Sequence, residues 1–190
     1  MNVDEFFYDY TDGDYFNWTP GKVKIFAKKY HEMICNDCKK DLDLSKLIST
    51  KASIYGDVII GENTRIDDFC ILSGKIRIGN NIHIGCGTIL IGEITLHDYS
   101  NIAPGCTVLA KSDDFRGRQP IGPQNQGGKV IAEPIVMKQH SVIGAGSVVL
   151  PGVILEEGTA IGANSLVKKG IYLPWKIYAG SPVKYLKDRI

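Results

Sequence analysis

A single phase of aliphatic residues dominates this chain and limits its fold more than any other feature. Ile54, Ile60, Ile66, Leu72, Ile78, Ile84, Leu90, Leu96, Ile102 and Val108 recur every six residues without a slip, and the spacing resumes at Ile131, Met137, Ile143, Val149, Leu155, Ile161 and Val167. Two residues before each stands a second small or aliphatic residue, such as Thr64, Cys70, Ile76, Thr88, Ser100, Ser147 or Thr159, and Lys129 alone breaks that rule. Residues two apart on one face are the strand signature, but a strict return every six residues is neither helical nor that of a hairpin. The pattern predicts short strands joined by tight turns, with Gly61, Gly79, Gly85, Gly144 and Gly162 at positions that need unusual backbone angles. Strand and turn repeated in this way close a prism whose rungs stack on one another and bury their aliphatic residues in a continuous column, an all-β solenoid. A sandwich of many short strands would not hold one phase over so many repeats.

With 190 residues the chain has room for one sizeable domain. The 22 Lys and Arg against 21 Asp and Glu leave no global field of the kind that draws nucleic acid or a membrane surface. The N-terminal stretch lacks the basic start and apolar core of a signal peptide. The least charged stretch, Ser141 to Leu155, is too short and too rich in Gly and Pro to span a bilayer. A cytoplasmic protein is expected, with no membrane insertion. Five cysteines make no disulfide framework, and Cys35 and Cys38 could start a zinc site that no second ligand pair completes.

The flanks break the repeat. Residues 1–50 lack the hexad and carry Phe6, Phe7, Tyr8, Tyr10, Tyr15, Phe16 and Trp18, followed by mixed helical spacing from Lys22 to Lys40, which predicts a small helical cap over one open end. The solenoid is expected over 51–168, interrupted by a polar insertion at 109–130, with a tail at 169–190. An insertion this long adds no core, so it is the first place to look for chemistry.

The hexads, the insertion, the rung Ile143-Gly-Ala-Gly-Ser-Val-Val149 and the tail Tyr178-Ala-Gly-Ser-Pro-Val-Lys184 resemble the hexapeptide-repeat acyltransferases, over about residues 50 to 187. Within that family the sequence is similar to the galactoside and maltose O-acetyltransferases and to the O- and N-acyltransferases of surface-polysaccharide sugars. The resemblance implies a left-handed parallel β-helix and a homotrimer with active sites in the clefts between prisms. It also implies acetyl-coenzyme A or a related acyl-coenzyme A as co-substrate, with no metal required. By the same resemblance Ala145 and Ala163 line the pantetheine track, Lys168 and Lys169 follow at the matching turn, and Lys184 and Lys187 supply cations for the coenzyme's phosphates. The composition agrees, since Lys168 to Ile190 holds six basic residues and one acid.

The acceptor must be argued from a departure. Sugar O-acetyltransferases of this family carry a catalytic histidine just after the last hexad before the insertion, where this chain has Asp113 followed by Asp114. A carboxylate of ordinary pKa is a poor general base for an alcohol near pH 7, whereas an amine attacks as its free base and needs less help. The expected acceptor is therefore the amino group of a nucleotide-linked sugar, with a sugar hydroxyl as the alternative. His83 lies one residue before Ile84 and so points outward, and with three hexads per coil Arg65, His83 and Asn101 should stack in one polar ladder. His83 or Asp113 would receive or orient the proton, while Arg65, Asp68 and Asn101, with Asp67 nearby, would contact the acceptor. Two rivals are a metal-dependent lyase, which needs three clustered histidines, and a non-catalytic solenoid, which needs neither insertion nor basic tail.

Overall fold

The computed structural model describes residues 46–116, 118, 121 and 128–189, so the helical cap expected from Lys22 to Lys40 and the Cys35/Cys38 pair lie outside the described residues. Among these residues there are nineteen strands and no helix. The first coil holds β1 (Lys46–Ile48) and β2 (Ser53–Ile60), the second β3 (Thr64–Ile66) and β4 (Ile71–Ile78), and the third β5 (His83–Ile84) and β6 (Ile89–Leu96). The fourth runs through β7 (Asn101–Ile102) and β8 (Thr107–Leu109), leaves as a ribbon of β9 (Lys111–Asp113) and β10 (Val130–Ala132), and returns at β11 (Ile135–Met137). β12 (Val142–Ile143), β13 (Val148–Val149) and β14 (Val153–Leu155) form the next coil, then β15 (Ala160–Ile161), β16 (Leu166–Val167) and β17 (Gly170–Tyr172). β18 (Lys176–Ala179) begins a last coil and turns back into the antiparallel β19 (Lys184–Asp188).

The result is a parallel β-solenoid of three faces. The first face is the parallel stack β1, β3, β5, β7, β12, β15 and β18. β2, β4 and β6 each supply both other faces, bending at Gly56, Gly74 and Gly92. Gly74 shows why the bend needs glycine: its φ is +132°, and a Cβ there would stand 2.4 Å from the Gly92 carbonyl oxygen of the next coil. Gly105, with φ +69°, turns a corner that faces open space. Gly74→Ala is therefore expected to cost roughly 1–3 kcal/mol or more in urea unfolding, and Gly105→Ala less, because only the first adds a backbone collision to the strained angle.

The aliphatic phase builds the core as expected, with Ile66, Ile84, Ile102, Ile143 and Ile161 in one column, all buried. The small residues two positions earlier are buried too, and their polar atoms reach corner carbonyls: Thr64 Oγ1 donates to Gly79 O at 2.9 Å and Ser147 Oγ to Gly162 O at 3.1 Å. At Thr64 and Ser147 the hydroxyl closes a corner and is itself satisfied, whereas the buried Ser100 hydroxyl has no hydrogen-bond partner among the described residues.

The structure departs from the expected repeat in three places. Ile131 is not a rung: it pairs with Ser112 in the antiparallel ribbon, and the core resumes at the fully buried Ile135. The register offset between coils rises from 18 residues, as in Ile78 opposite Leu96, to 41, as in Leu96 opposite Met137, so 23 residues are looped out. Ala110, inside the expected insertion, still packs in the core. At the other end the offset shortens to 17, with Leu155 opposite Tyr172 and Ile161 opposite Tyr178. This slip hid the last rung, and Tyr172, Tyr178 and Val183 of the tail pack against the core. The stack also reaches upstream to Lys46, because β1 pairs in register with β3. No helix among the described residues is long and apolar enough to cross a membrane.

Candidate active site

The polar ladder forms on the outer side of the first face, where Arg65 lies opposite His83 and His83 opposite Asn101. Period-two alternation sends these side chains outward because Ile66, Ile84 and Ile102 take the core. Asp67, at the corner that follows β3, ties the ladder together. Its Oδ2 lies 2.8 Å from His83 Nε2, and its Oδ1 accepts from Arg65 Nε at 2.6 Å. Burial works to raise the Asp67 pKa, but the hydrogen bond from His83 and the charge of Arg65 outweigh it and leave the carboxyl below its ordinary value. From the coil above, Asn101 Oδ1 accepts the His83 backbone N–H at 3.0 Å. Asp68 is engaged with the preceding coil, accepting from Lys51 Nζ at 2.8 Å and Ser49 Oγ at 2.5 Å, and the Lys51 bond is the main cause of its lowered pKa.

The insertion leaves the prism between the second and third faces. Asp113 is exposed at the end of β9, opposite Val130. Asp114 is clamped by Arg116, which donates from Nε to Oδ1 at 2.8 Å and from Nη2 to Oδ2 at 3.0 Å. That guanidinium, with the Arg116 backbone N–H, holds the Asp114 carboxyl down at about 2. A carboxylate so stabilised is a weak proton acceptor near neutral pH and suits charge positioning better. Within one chain the ladder and the two insertion carboxylates thus stand on different sides of the prism.

The residues expected to hold the donor divide between two corners. Ala145 and Ala163 are exposed and stacked at the corner between the first and second faces, where Asn164 N donates to Ala145 O at 2.8 Å. Coils approach so closely here that a Cβ on Gly144 would lie 2.5 Å from Ala163 N. The tail closes the same corner: Gly180 N donates to Ser165 Oγ at 3.1 Å, and Leu166 N to Gly180 O at 3.0 Å. Lys184 then lies opposite Ala179, and Lys187 opposite Ile177, both exposed on β19. Lys168 and Lys169 stand at the next corner, where Lys169 Nζ pairs with Glu133 Oε2 at 2.5 Å beside the foot of the ribbon. His140 stacks between Tyr99 and Trp175, with ring centroids 5.4 and 6.2 Å away, at the corner between the third and first faces. Among the described residues no three His, Cys, Asp or Glu side chains stand together as metal ligands.

A stacked prism with a looped-out ribbon, a histidine–carboxylate ladder and a small-residue corner ending under a basic strand has the architecture of the solenoid acyltransferases. No family model matches the sequence. The chain is 44% identical to a variant of AntD, an N-acyltransferase from Bacillus cereus solved with dTDP-4-amino-4,6-dideoxyglucose and coenzyme A, with a TM-score of 0.72 over 76% of this chain and 84% of that one. AntD solved with dTDP and 3-hydroxybutyryl-coenzyme A gives 45% identity and a TM-score of 0.72 over 77% and 81% of the two chains. A dTDP-4-amino-4,6-dideoxy-D-glucose acyltransferase of Escherichia coli is 38% identical over 110 residues, which are 53% of this chain and 57% of that enzyme. The chain therefore belongs to the hexapeptide-repeat family of sugar acyltransferases. It spans little more than half the length of that curated relative.

Proposed function

We propose that this protein transfers an acyl group from coenzyme A to the amino group of a dTDP-linked 4-amino-4,6-dideoxy sugar, in the cytoplasmic supply of sugars for surface polysaccharides. The observation that carries the reading is the 44% identity, over 76% of this chain, to a variant of AntD solved with both an amino-sugar nucleotide and coenzyme A. The thioester would lie along Ala145 and Ala163, with its phosphates at Lys184 and Lys187 and with Lys168 and Lys169 at the neighbouring corner. Arg65, Asp68 and Asn101 would contact the acceptor. The amine's lone pair attacks the thioester carbonyl carbon, a C–N bond forms, and the C–S bond breaks. The surplus proton leaves the nitrogen through His83 and ends on the departing coenzyme A sulfur. Nothing in this step needs a metal. Asp113 and Asp114 would act on the same acceptor from a neighbouring subunit's ribbon. The homotrimer proposed with it would bring that ribbon to the ladder and would also cover outward apolar residues such as Ile71, which is 38% exposed.

Transfer of label from acetyl-coenzyme A to dTDP-4-amino-4,6-dideoxyglucose, with dTDP-6-deoxyglucose as the hydroxyl counterpart, tests the reading. Amide product is expected on the first and none on the second. The donor site gives its own check. Changing both Lys184 and Lys187 to Ala should weaken coenzyme A binding by roughly tenfold or more, since charge-assisted contacts to phosphate are among the stronger hydrogen bonds. Titration with a pantetheine thioester lacking phosphates should show no change, and an equal loss for both donors would mean that the tail had misfolded.

A further inference from the structure

We propose that Asp67 is a positioning residue that fixes the tautomer of His83, so that the imidazole presents Nδ1 to the acceptor as a proton acceptor. The inference rests on the acyl-transfer reading and adds to it the atom that takes the proton. A neutral imidazole carries one N–H, and what the other nitrogen meets decides which one. The Asp67 carboxylate can only accept, so the nitrogen 2.8 Å from its Oδ2 must be the donor, and Nε2 carries the hydrogen. The other carboxylate oxygen is taken by Arg65 Nε at 2.6 Å, which fixes the carboxylate's own orientation. Nδ1 then bears the lone pair, and it has no hydrogen-bond partner among the described residues, while the His83 side chain is 44% exposed.

The coil above completes the arrangement. Asn101 Nδ2 donates to Tyr99 O at 3.3 Å, which turns Asn101 Oδ1 toward the His83 backbone N–H. The strand that carries the ring is thus held from one side and the ring from the other. When the tetrahedral intermediate gives its proton to Nδ1, the imidazolium formed is stabilised by the carboxylate at its far nitrogen. Passing that proton to the departing thiolate restores the neutral ring, and the charge balance closes. An ion pair serving the fold alone at this surface would contribute little, so loss of catalysis without loss of stability separates the two roles.

The test uses the full chain and compares wild type with Asp67→Asn and Asp67→Glu. Long-range ¹H–¹⁵N correlation spectra of the His83 ring report the tautomer, thermal melts report folding, and steady-state rates with the amino-sugar nucleotide report kcat. The expected result is an Nε2–H tautomer in the wild type and a mixed or reversed one in Asp67→Asn. It includes a kcat lower by at least roughly tenfold, with the ~10²–10⁴ for outright loss of a general base as the upper bound. The KM for acyl-coenzyme A should be unchanged, with partial recovery in Asp67→Glu. A wild-type Nδ1–H tautomer overturns the proposal, as does an unchanged tautomer in Asp67→Asn or a kcat within twofold of wild type. Lack of turnover by the wild type on every amino sugar would defeat the acyltransferase reading instead, and the spectra would still judge Asp67.

Discussion

His83→Ala is expected to lower kcat for the amino-sugar acceptor by ~10²–10⁴ while leaving coenzyme A binding intact. The size follows from the role proposed for the ring: it would take the proton released once the amine has attacked, an interaction absent from the ground state, so its loss should fall on kcat rather than on KM. The ladder supports that reading, because Asp67 engages one ring nitrogen and leaves the other open. Coenzyme A should be unaffected, since Ala145 and Ala163 line a corner beyond the edge of the face that carries His83. Single-turnover rates with labelled donor make the comparison, and added imidazole should restore part of the activity in the space the ring vacates. Turnover within a few-fold of wild type would move the proton to the insertion. Asp113→Asn would then be the damaging change, and the ladder would only hold the acceptor.

Leu90→Ala is the substitution expected to cost most in stability, about 2–5 kcal/mol. Leu90 is fully buried at mid-stack, opposite Leu72 in the coil below and Val108 in the coil above. A solenoid core is a column, so neighbouring coils cannot close over the void without breaking their own hydrogen-bond register. For a chain of this size that loss corresponds to a melting temperature lower by roughly 5–20 °C. Ile71→Ala, on the outward side of the same sheet, should cost little in folding because the residue is already 38% exposed. It should instead weaken assembly, which sedimentation at micromolar protein measures. A Leu90→Ala melt unchanged from wild type would contradict the column, and monomers of wild-type protein would contradict the proposed trimer.

Much of the fold was legible because the hexad is a local property with a direct spatial consequence. Once Ile66, Ile84 and Ile102 take the core, alternation puts Arg65, His83 and Asn101 outside and one coil apart, and the structure aligns all three. The same logic misled at Ile131, which keeps the spacing by coincidence and sits in the ribbon, paired with Ser112. It also stopped too early at Val167, because a coil of 17 residues moves Tyr172 and Tyr178 one position out of phase. A tyrosine in an aliphatic column gives no periodic signal, and only the pairing with Leu155 and Ile161 reveals the rung.

What the sequence determined by itself, then, was the identity of the core column and the outward ladder. Each of these depends on spacing along the chain, and a regular backbone converts spacing directly into position. The tertiary structure alone decided that Asp67 rather than Asp68 meets His83, that Arg116 clamps Asp114, and that the insertion leaves from a corner away from the ladder. Those outcomes depend on side-chain torsions at a corner and on pairings between residues with no fixed separation. Neighbouring carboxylates such as Asp67 and Asp68 are equivalent in sequence, and only the turn between β3 and β4 sends one to the histidine and the other to Lys51.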